Sequence, residues 1–279
     1  MTDPECDTLL DILRTAARAH ILPRFRALED AQTSQKTSPM DLVTIADTAM
    51  EHAVTQAVAT RFPDWTVIGE EAVFDDPGLL DRVASAPKAL ILDPIDGTWN
   101  FAHGLPLFAV LAAVTEAGET RLGVIYDPLN DDAFVARPGQ GAWRIAPDGR
   151  RTRLRTRPAT PLEQMVGLAG LHMFPAPIRG RLAPALVDFA SVGSYRCSAY
   201  EYRAAAQGAI DFMLSAHLKP WDHAAGVLIH AEAGGFARLL DDTPYRPTRH
   251  EGRILIAPDR ESWYALRDRF VAAAPDLML

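Results

Sequence analysis

Between residues 107 and 145 the chain sets short apolar runs between turn residues, and few folds accommodate that rhythm. Runs at 107–115, 121–126, 133–136 and 142–145 recur at hairpin intervals, with Gly118, Asn130 and Gly139 among the residues that break them. This spacing predicts an antiparallel meander. Two earlier runs, 66–68 before Gly69 and 89–92 before Asp93-Pro94, are also short enough for strands and are closed by breakers. Ahead of them, apolar residues at Leu9, Ile12, Leu13, Ala16 and Ala17 predict a helix from Thr8 to about Phe25, with Asp7 or Thr8 as cap. After a polar break at 32–39, Thr44 and Asp47 form a capping-box pattern. It opens a second helix carrying Ala46, Met50, Ala53, Val54, Ala57 and Val58 on one face, up to Phe62-Pro63.

The second half alternates helix and strand patterns. A helix is expected near 198–207, a strand at 210–214, a helix at 222–233 stopped by Gly234-Gly235, strands at 236–239 and 254–257, and a closing helix from Arg260. The Pro/Arg-rich segment 148–161 reads as a connection between an N-terminal lobe of about 1–150 and a C-terminal lobe of about 160–279. Residues 175–184 read as a mobile loop. Layers of helices over mixed sheets in one 279-residue α/β domain would bury these patterns.

Charge narrows the function. With 36 Asp+Glu against 28 Lys+Arg, the net charge of −8 argues against an extended nucleic-acid or anionic-membrane surface. The Arg150 to Arg157 cluster is accordingly expected to be a solvated connection, not an RNA site. Cys6 and Cys197, far apart, imply neither a disulfide framework nor a zinc site, so a cytoplasmic protein is expected. The acidic N-terminus does not resemble a secretory signal, and no apolar stretch reaches 18 residues.

The segment Leu90-Ile91-Leu92-Asp93-Pro94-Ile95-Asp96-Gly97-Thr98 carries the chemistry. An apolar strand ends at Asp93, Pro94 keeps Asp93 extended, and Gly97 permits a sharp turn. Two carboxylates offered from a rigid strand end can bracket a hard cation, because Mg²⁺ prefers octahedral oxygen ligands. Thr98 adds a hydroxyl, and the amides of the turn can meet a phosphate. Glu70 and Glu71 follow another predicted strand, and Asp222 precedes an apolar helix. Each has a plainer reading as well. Asp96 can cap its own turn, the Glu pair can be surface charge, Asp222 can be a helix N-cap worth about 1 kcal/mol, and Asp47 can serve only its capping box.

Taken in order, these motifs identify a resemblance. Lys36 with Asp41 to Asp47, Gly69-Glu70-Glu71, Asp93 to Thr98, residues 104–109, and Trp221-Asp222-His223-Ala224-Ala225-Gly226 ending in Glu232 to Gly235 are similar to the inositol monophosphatase family of Mg²⁺-dependent, lithium-sensitive phosphatases. The resemblance implies a layered αβαβα sandwich of helices and mixed, largely antiparallel sheets. It also implies that Glu70, Asp93 and the Ile95 carbonyl hold one metal ion, that Asp93, Asp96 and Asp222 hold a second, and that Glu70 and waters hold a weaker third. Thr98, hydrogen-bonded to Asp47, would activate water with help from Glu70. Phosphate would rest on the amides of Gly97 and Thr98, with Asp96 and Asp222 facing substrate. Phosphomonoester hydrolysis is very slow unaided, and cations supply the charge neutralisation it needs. They also invert the repulsion that four carboxylates would exert on a phosphate dianion.

The substrate half departs from the family pattern. Where inositol-selective members carry a glutamate seven residues before the Asp222 equivalent, this chain has Ser215, a shorter neutral contact. Arg196 replaces a small residue. It can reach a second phosphate or a carboxylate through its fork, or form a structural ion pair with Glu201 or Asp211, the plainer expectation. Lys36 is expected beside the metal ligands, Trp221 as a packing anchor, and His217 and His223 in core or surface roles. The expected reaction is hydrolysis of a small phosphomonoester: inositol monophosphate, 3′-phosphoadenosine 5′-phosphate, histidinol phosphate or a sugar phosphate. A homodimer is expected, with no nucleic-acid or membrane partner. Two rivals stand beside it. One is a haloacid-dehalogenase-like phosphatase, which needs Asp-x-Asp where this chain has Asp-x-x-Asp. The other is a regulatory member without turnover.

Overall fold

The chain begins its regular structure earlier than its apolar pattern suggests. The computed structural model describes residues 3–278. Its first helix, α1 (Pro4–His20), is capped by Asp3, whose carboxylate accepts from the Cys6 N–H at 3.1 Å. Asp7 and Thr8, expected as caps, lie inside it, because Pro4 fits a first turn where its missing N–H costs nothing. Pro23 then diverts the chain into a 3₁₀ turn over Leu22–Arg24, so the helix does not run to Phe25. The polar break proves to be a hairpin of β1 (Thr33–Ser38) and β2 (Asp41–Thr44). Its residues are mostly half-exposed on both faces, so no apolar alternation marked it.

Thr44 and Asp47 form the expected capping box at the start of α2 (Ile45–Arg61). Next come β3 (Thr66–Gly69), the short α3 (Glu70–Asp75) and α4 (Arg82–Ser85), β4 (Lys88–Asp96) and the single-turn α5 (Thr98–Ala102). The meander follows as β5 (Ala109–Glu116), β6 (Glu119–Asp127), β7 (Asp132–Arg137) and β8 (Gly141–Ile145). An extra strand, β9 (Arg151–Arg153), lies in the segment read as a connection. These strands form a sheet in the order β3-β4-β5-β6-β7-β8-β9, antiparallel except where β3 runs parallel to β4.

The second sheet takes β10 (Val166–Ala169), β11 (Ser191–Gly193), β12 (Phe212–Ser215), β13 (Phe236–Leu239) and β14 (Ile254–Ala257) in the order β11-β10-β12-β14-β13, with β10 parallel to both neighbours. Between the strands lie α6 (Ala176–Ala185), α7 (Ser198–Ala206) and α8 (Pro220–Glu232), and α9 (Arg260–Ala273) follows them. The segment expected as a mobile loop is therefore mostly α6. Pro177 sits in its first turn, and Ile178 and Leu182, four residues apart, are buried against the core that holds α9.

Period-two alternation sets the layers. Leu90 and Leu92 of β4 join the core under α1 and α2, while Ala89 and Ile91 point into the opposite core. That opposite core is filled by α7 and α8, which also meet Met213 and Ile256 of the second sheet. The far face of the second sheet is covered by α6 and α9 through Leu182, Trp263 and Phe270. The result is helix, sheet, helix, sheet, helix, with open, largely antiparallel mixed sheets. Each fully buried Leu of β4 contributes about 2 kcal/mol, which holds the strand end rigid where the acidic residues emerge.

Candidate active site

The end of β4 is reshaped by its sequence. Asp93 pairs with Leu111 and Asp96 with Ala109, so Pro94 and Ile95 together oppose a single residue in a bulge. Pro94 has no N–H for the ladder, and the Ile95 N–H donates instead to Asp93 Oδ1 at 3.1 Å. Gly97 then turns the chain at φ 86°. A Cβ there would stand 2.7 Å from the Leu107 carbonyl, so the turn requires glycine on two counts. Thr98 follows at the start of α5, its hydroxyl 2.8 Å from the Ile95 carbonyl and 3.1 Å from Asp47 Oδ1. Asp47 Oδ2 accepts from the Thr44 N–H at 2.9 Å and the Thr44 hydroxyl at 2.6 Å. The capping box and the contact to Thr98 are thus made by different oxygens of one carboxylate. Burial, opposed by the Thr44 hydrogen bonds, pushes the Asp47 carboxyl up to about 6.

Glu70 is presented where β3 passes into α3. Glu51, one turn after Asp47 on α2, accepts from the Glu71 and Ala72 N–H groups at 2.9 and 2.8 Å and so fastens α3 to α2. Gly69 makes room for it, since a Cβ would fall 2.1 Å from the Glu51 carboxyl carbon. Lys36, from β1, reaches Glu70 Oε1 at 2.9 Å and Glu71 Oε1 at 2.7 Å. Burial would lower its ammonium, but the two carboxylates hold it above the ordinary lysine value. Burial, with repulsion from Glu70, pushes Glu71 up to about 8.

Asp93, Asp96 and Asp222 each offer a carboxylate oxygen within 4.8 Å of the others. Asp222 does not cap α8. Lys219 holds the cap position, and Asp222 stands in the first turn behind buried Pro220 and Trp221, free to face β4. Asp96 Oδ2 is gripped from α7 by the Ala199 N–H at 2.5 Å and the Cys197 thiol at 3.2 Å. Burial pushes that thiol well up, so it stays protonated and donates. Burial raises Asp93 and Asp222 well above the carboxylate range, reinforced by Glu70 and by the mutual repulsion of the cluster, and brings Asp96 to about 6. Three crowded, oxygen-only donors with mutually repelling charges fit a hard divalent cation.

These groups line a cavity of about 210 Å³, to which Glu70, Ile95, Gly97, Thr98 and Arg196 also contribute. Asp47 stands behind Thr98. Ser215, expected to face substrate, is buried outside the lining, its hydroxyl 3.4 Å from the His217 carbonyl. The expected Arg196 ion pair with Glu201 or Asp211 does not form among the described residues. Glu201 accepts from the Tyr195 N–H at 3.1 Å, and Asp211 is taken by Arg157, Thr160 and the Val166 N–H. The Arg196 guanidinium lies instead over the Trp99 ring, 3.8 Å from its centre. His223 is a core residue, its ring nitrogens 2.9 Å from the Tyr202 hydroxyl and 2.8 Å from the His217 carbonyl. Glu51, Cys197 and the partnership of Trp99 with Arg196 were not anticipated. Of these, only Glu51 carried a signal, being an acid at i+4 from Asp47 on an otherwise apolar face.

The model of the inositol monophosphatase family matches residues 5–278. The fructose-1,6-bisphosphatase/inositol-1-monophosphatase of Thermotoga maritima is 33% identical over 72% of both chains. The inositol-1-monophosphatase of Bacillus subtilis is 31% identical over 78% of this chain and 79% of its own. Nus factor SuhB of Escherichia coli is 32% identical over 81% and 83%. Among solved structures, the Thermotoga maritima IMPase superposes with a TM-score of 0.82 at 23% identity, covering 99% of this chain and all of its own, a likeness of fold. The extragenic suppressor protein SuhB of Bartonella henselae superposes at 0.77 with 27% identity, over 96% and 98%. With its strand-end acids, its αβαβα layers and these relatives, the chain belongs to the inositol monophosphatase family.

Proposed function

We propose that this family phosphatase hydrolyses a small phosphomonoester, of the inositol monophosphate kind, using Mg²⁺ held by Glu70, Asp93, the Ile95 carbonyl, Asp96 and Asp222. The observation that carries the reading is the convergence of three carboxylate oxygens within 4.8 Å beside a threonine backed by a buried carboxylate. Two bound cations, with a weaker third near Glu70, would neutralise the phosphoryl oxygens and make the attacking water more acidic. The chain's own residues do the rest. The Gly97 and Thr98 N–H groups receive phosphoryl oxygens. The Thr98 hydroxyl oxygen accepts a proton from the water as its own proton passes to Asp47 Oδ1, 3.1 Å away. Glu70, anchored through Oε1 by Lys36, orients the water with its other oxygen. Water adds across the P–O bond to release phosphate and an alcohol.

The names of the Bacillus subtilis and Thermotoga maritima relatives favour inositol 1-phosphate and fructose 1,6-bisphosphate among the candidates, which also include 3′-phosphoadenosine 5′-phosphate, histidinol phosphate and other sugar phosphates. We also propose that the chain acts as one domain, a reading supported by the lining of a single cavity by residues from Met40 to Asp222. We further propose lithium sensitivity, a cytoplasmic homodimer, and no nucleic-acid or membrane partner. Among the described residues no helix is long and apolar enough to cross a membrane. A second reading, a regulatory protein without turnover, is favoured by the relatives named Nus factor.

A phosphate-release panel over these substrates, with and without Mg²⁺, tests the proposal. Release from at least one of them that requires Mg²⁺ supports it. Bound metal without release from any compound supports the regulatory reading.

A further inference from the structure

Arg196 is held at some expense in a place where, among the described residues, only the Met40 thioether meets its hydrogen-bonding edge. Its backbone is left-handed, at φ 54°, a region that side chains with a Cβ rarely occupy. The turn is kept there by the Arg196 N–H donating to Ser194 Oγ at 3.3 Å and by Glu201 accepting from the Tyr195 N–H. The guanidinium carbon lies over the Trp99 ring, a contact that engages the flat face of the group and none of its N–H donors. Nε is buried without a hydrogen-bond partner, and Nη2 has only the Met40 thioether at 3.6 Å, a weak acceptor. Among the described residues no carboxylate lies within ion-pairing distance of this guanidinium. Arg196 and Trp99 line the cavity that holds Asp93 and Thr98, in a protein of net charge −8.

A buried guanidinium donor without an acceptor is costly unless a ligand completes it. We propose that the Arg196 fork, braced by Trp99, binds a second oxyanion on the substrate, so that this enzyme prefers phosphomonoesters bearing a phosphate or carboxylate besides the phosphoryl group it removes. The inference rests on the phosphatase reading and names its substrate class. A planar, rigid fork suits a two-oxygen acceptor better than a single hydroxyl, which sets this class apart from neutral polyol phosphates.

Two matched pairs test it: glycerol 3-phosphate against 3-phosphoglycerate, and fructose 1-phosphate against fructose 1,6-bisphosphate, each measured as kcat/KM with Mg²⁺. In at least one pair the member with the second anion is favoured by about tenfold or more. The responding pair identifies carboxylate or phosphate as the group bound. Arg196→Gly, whose backbone adopts φ 54° freely, lowers that preference by about tenfold or more, and Arg196→Lys restores part of it. Trp99→Leu, which keeps the charge and removes the stacking face, lowers the preference in the same pair and gives an independent reading should Arg196→Gly fold poorly. Ratios near one in both pairs, or a preference unmoved by these variants, overturn the inference alone. Absence of phosphate release from all four compounds overturns the inference alone where the wider substrate panel shows Mg²⁺-dependent release, and overturns it together with the phosphatase reading where that panel shows none.

Discussion

On the β4 side of the cavity, Asp96 is gripped by the Ala199 N–H and the Cys197 thiol, Asp93 by the Ile95 N–H, and Thr98 leans on Asp47. At the rim, Arg196 has an aromatic face, a thioether and no acceptor for Nε. The first arrangement suits groups that must not move while charge develops, because pre-oriented dipoles cost no reorganisation during reaction. The second suits groups that wait for a ligand to complete them. On the proposed function, chemistry and selectivity fall to different walls of one cavity.

Five substitutions probe that contrast, and the largest effect is expected on the inner wall. Asp93→Asn should lower kcat/KM by about a thousandfold or more, since metal-centred neutralisation supplies several kcal/mol, and should weaken Mg²⁺ binding in a calorimetric titration. Near-normal turnover in that variant would remove the inner wall from the chemistry. Thr98→Ala should lower kcat by about a hundredfold with KM little changed, and Thr98→Ser should recover most of it, as steady-state kinetics would reveal. Gly69→Ala forces a methyl against the Glu51 carboxylate, so urea unfolding should register a loss of about 2 kcal/mol. Unchanged stability would mean that α3 tolerates displacement.

The smallest effect lies away from both walls. His230, on α8, is buried with Nε2 2.9 Å from the Ala257 carbonyl, and burial pushes it down to about 4. Above pH 6.5 it is neutral whether folded or unfolded. Between 6.5 and about 4 the unfolded chain takes up a proton that the folded chain refuses, so stability falls with pH across that window. His230→Gln should flatten the change in unfolding free energy between pH 7 and 5 without altering the substrate preference of the rim. A curve as steep as that of the unsubstituted protein would dissociate His230 from the acid sensitivity.

What was legible in the sequence was mostly local. The Thr44/Asp47 box, the run ended by Asp-Pro-x-Asp-Gly and the meander depend on neighbours a few residues apart, and strand and helix follow them within a few residues. The β1–β2 hairpin was hidden because neither face is dry, and α6 because its prolines read as loop, although Pro177 in a first turn favours a helix. The contacts that tune the site were not legible. Glu51 serves amides 20 and 21 residues away, and Cys197 meets Asp96 across 101. Such approaches are set by the packing of α2 on α3 and of α7 on the end of β4, which no window of sequence contains. The resemblance points to candidate ligand residues, Glu70 and Asp222, that the haloacid-dehalogenase-like alternative leaves unexplained. It gave no sign that Ser215 would lie buried outside the cavity lining or that Arg196 would lie over Trp99.

On the proposed function, Asp93, Asp96 and Asp222 make a divalent-cation site that drives phosphomonoester hydrolysis. The most direct test is phosphate release by the purified protein across the substrate panel as Mg²⁺ is titrated, run in parallel on Asp93→Asn. Saturable, Mg²⁺-dependent release that is lost in the variant is the predicted result. Release that proceeds equally well in excess chelator, or that survives in Asp93→Asn, would contradict it.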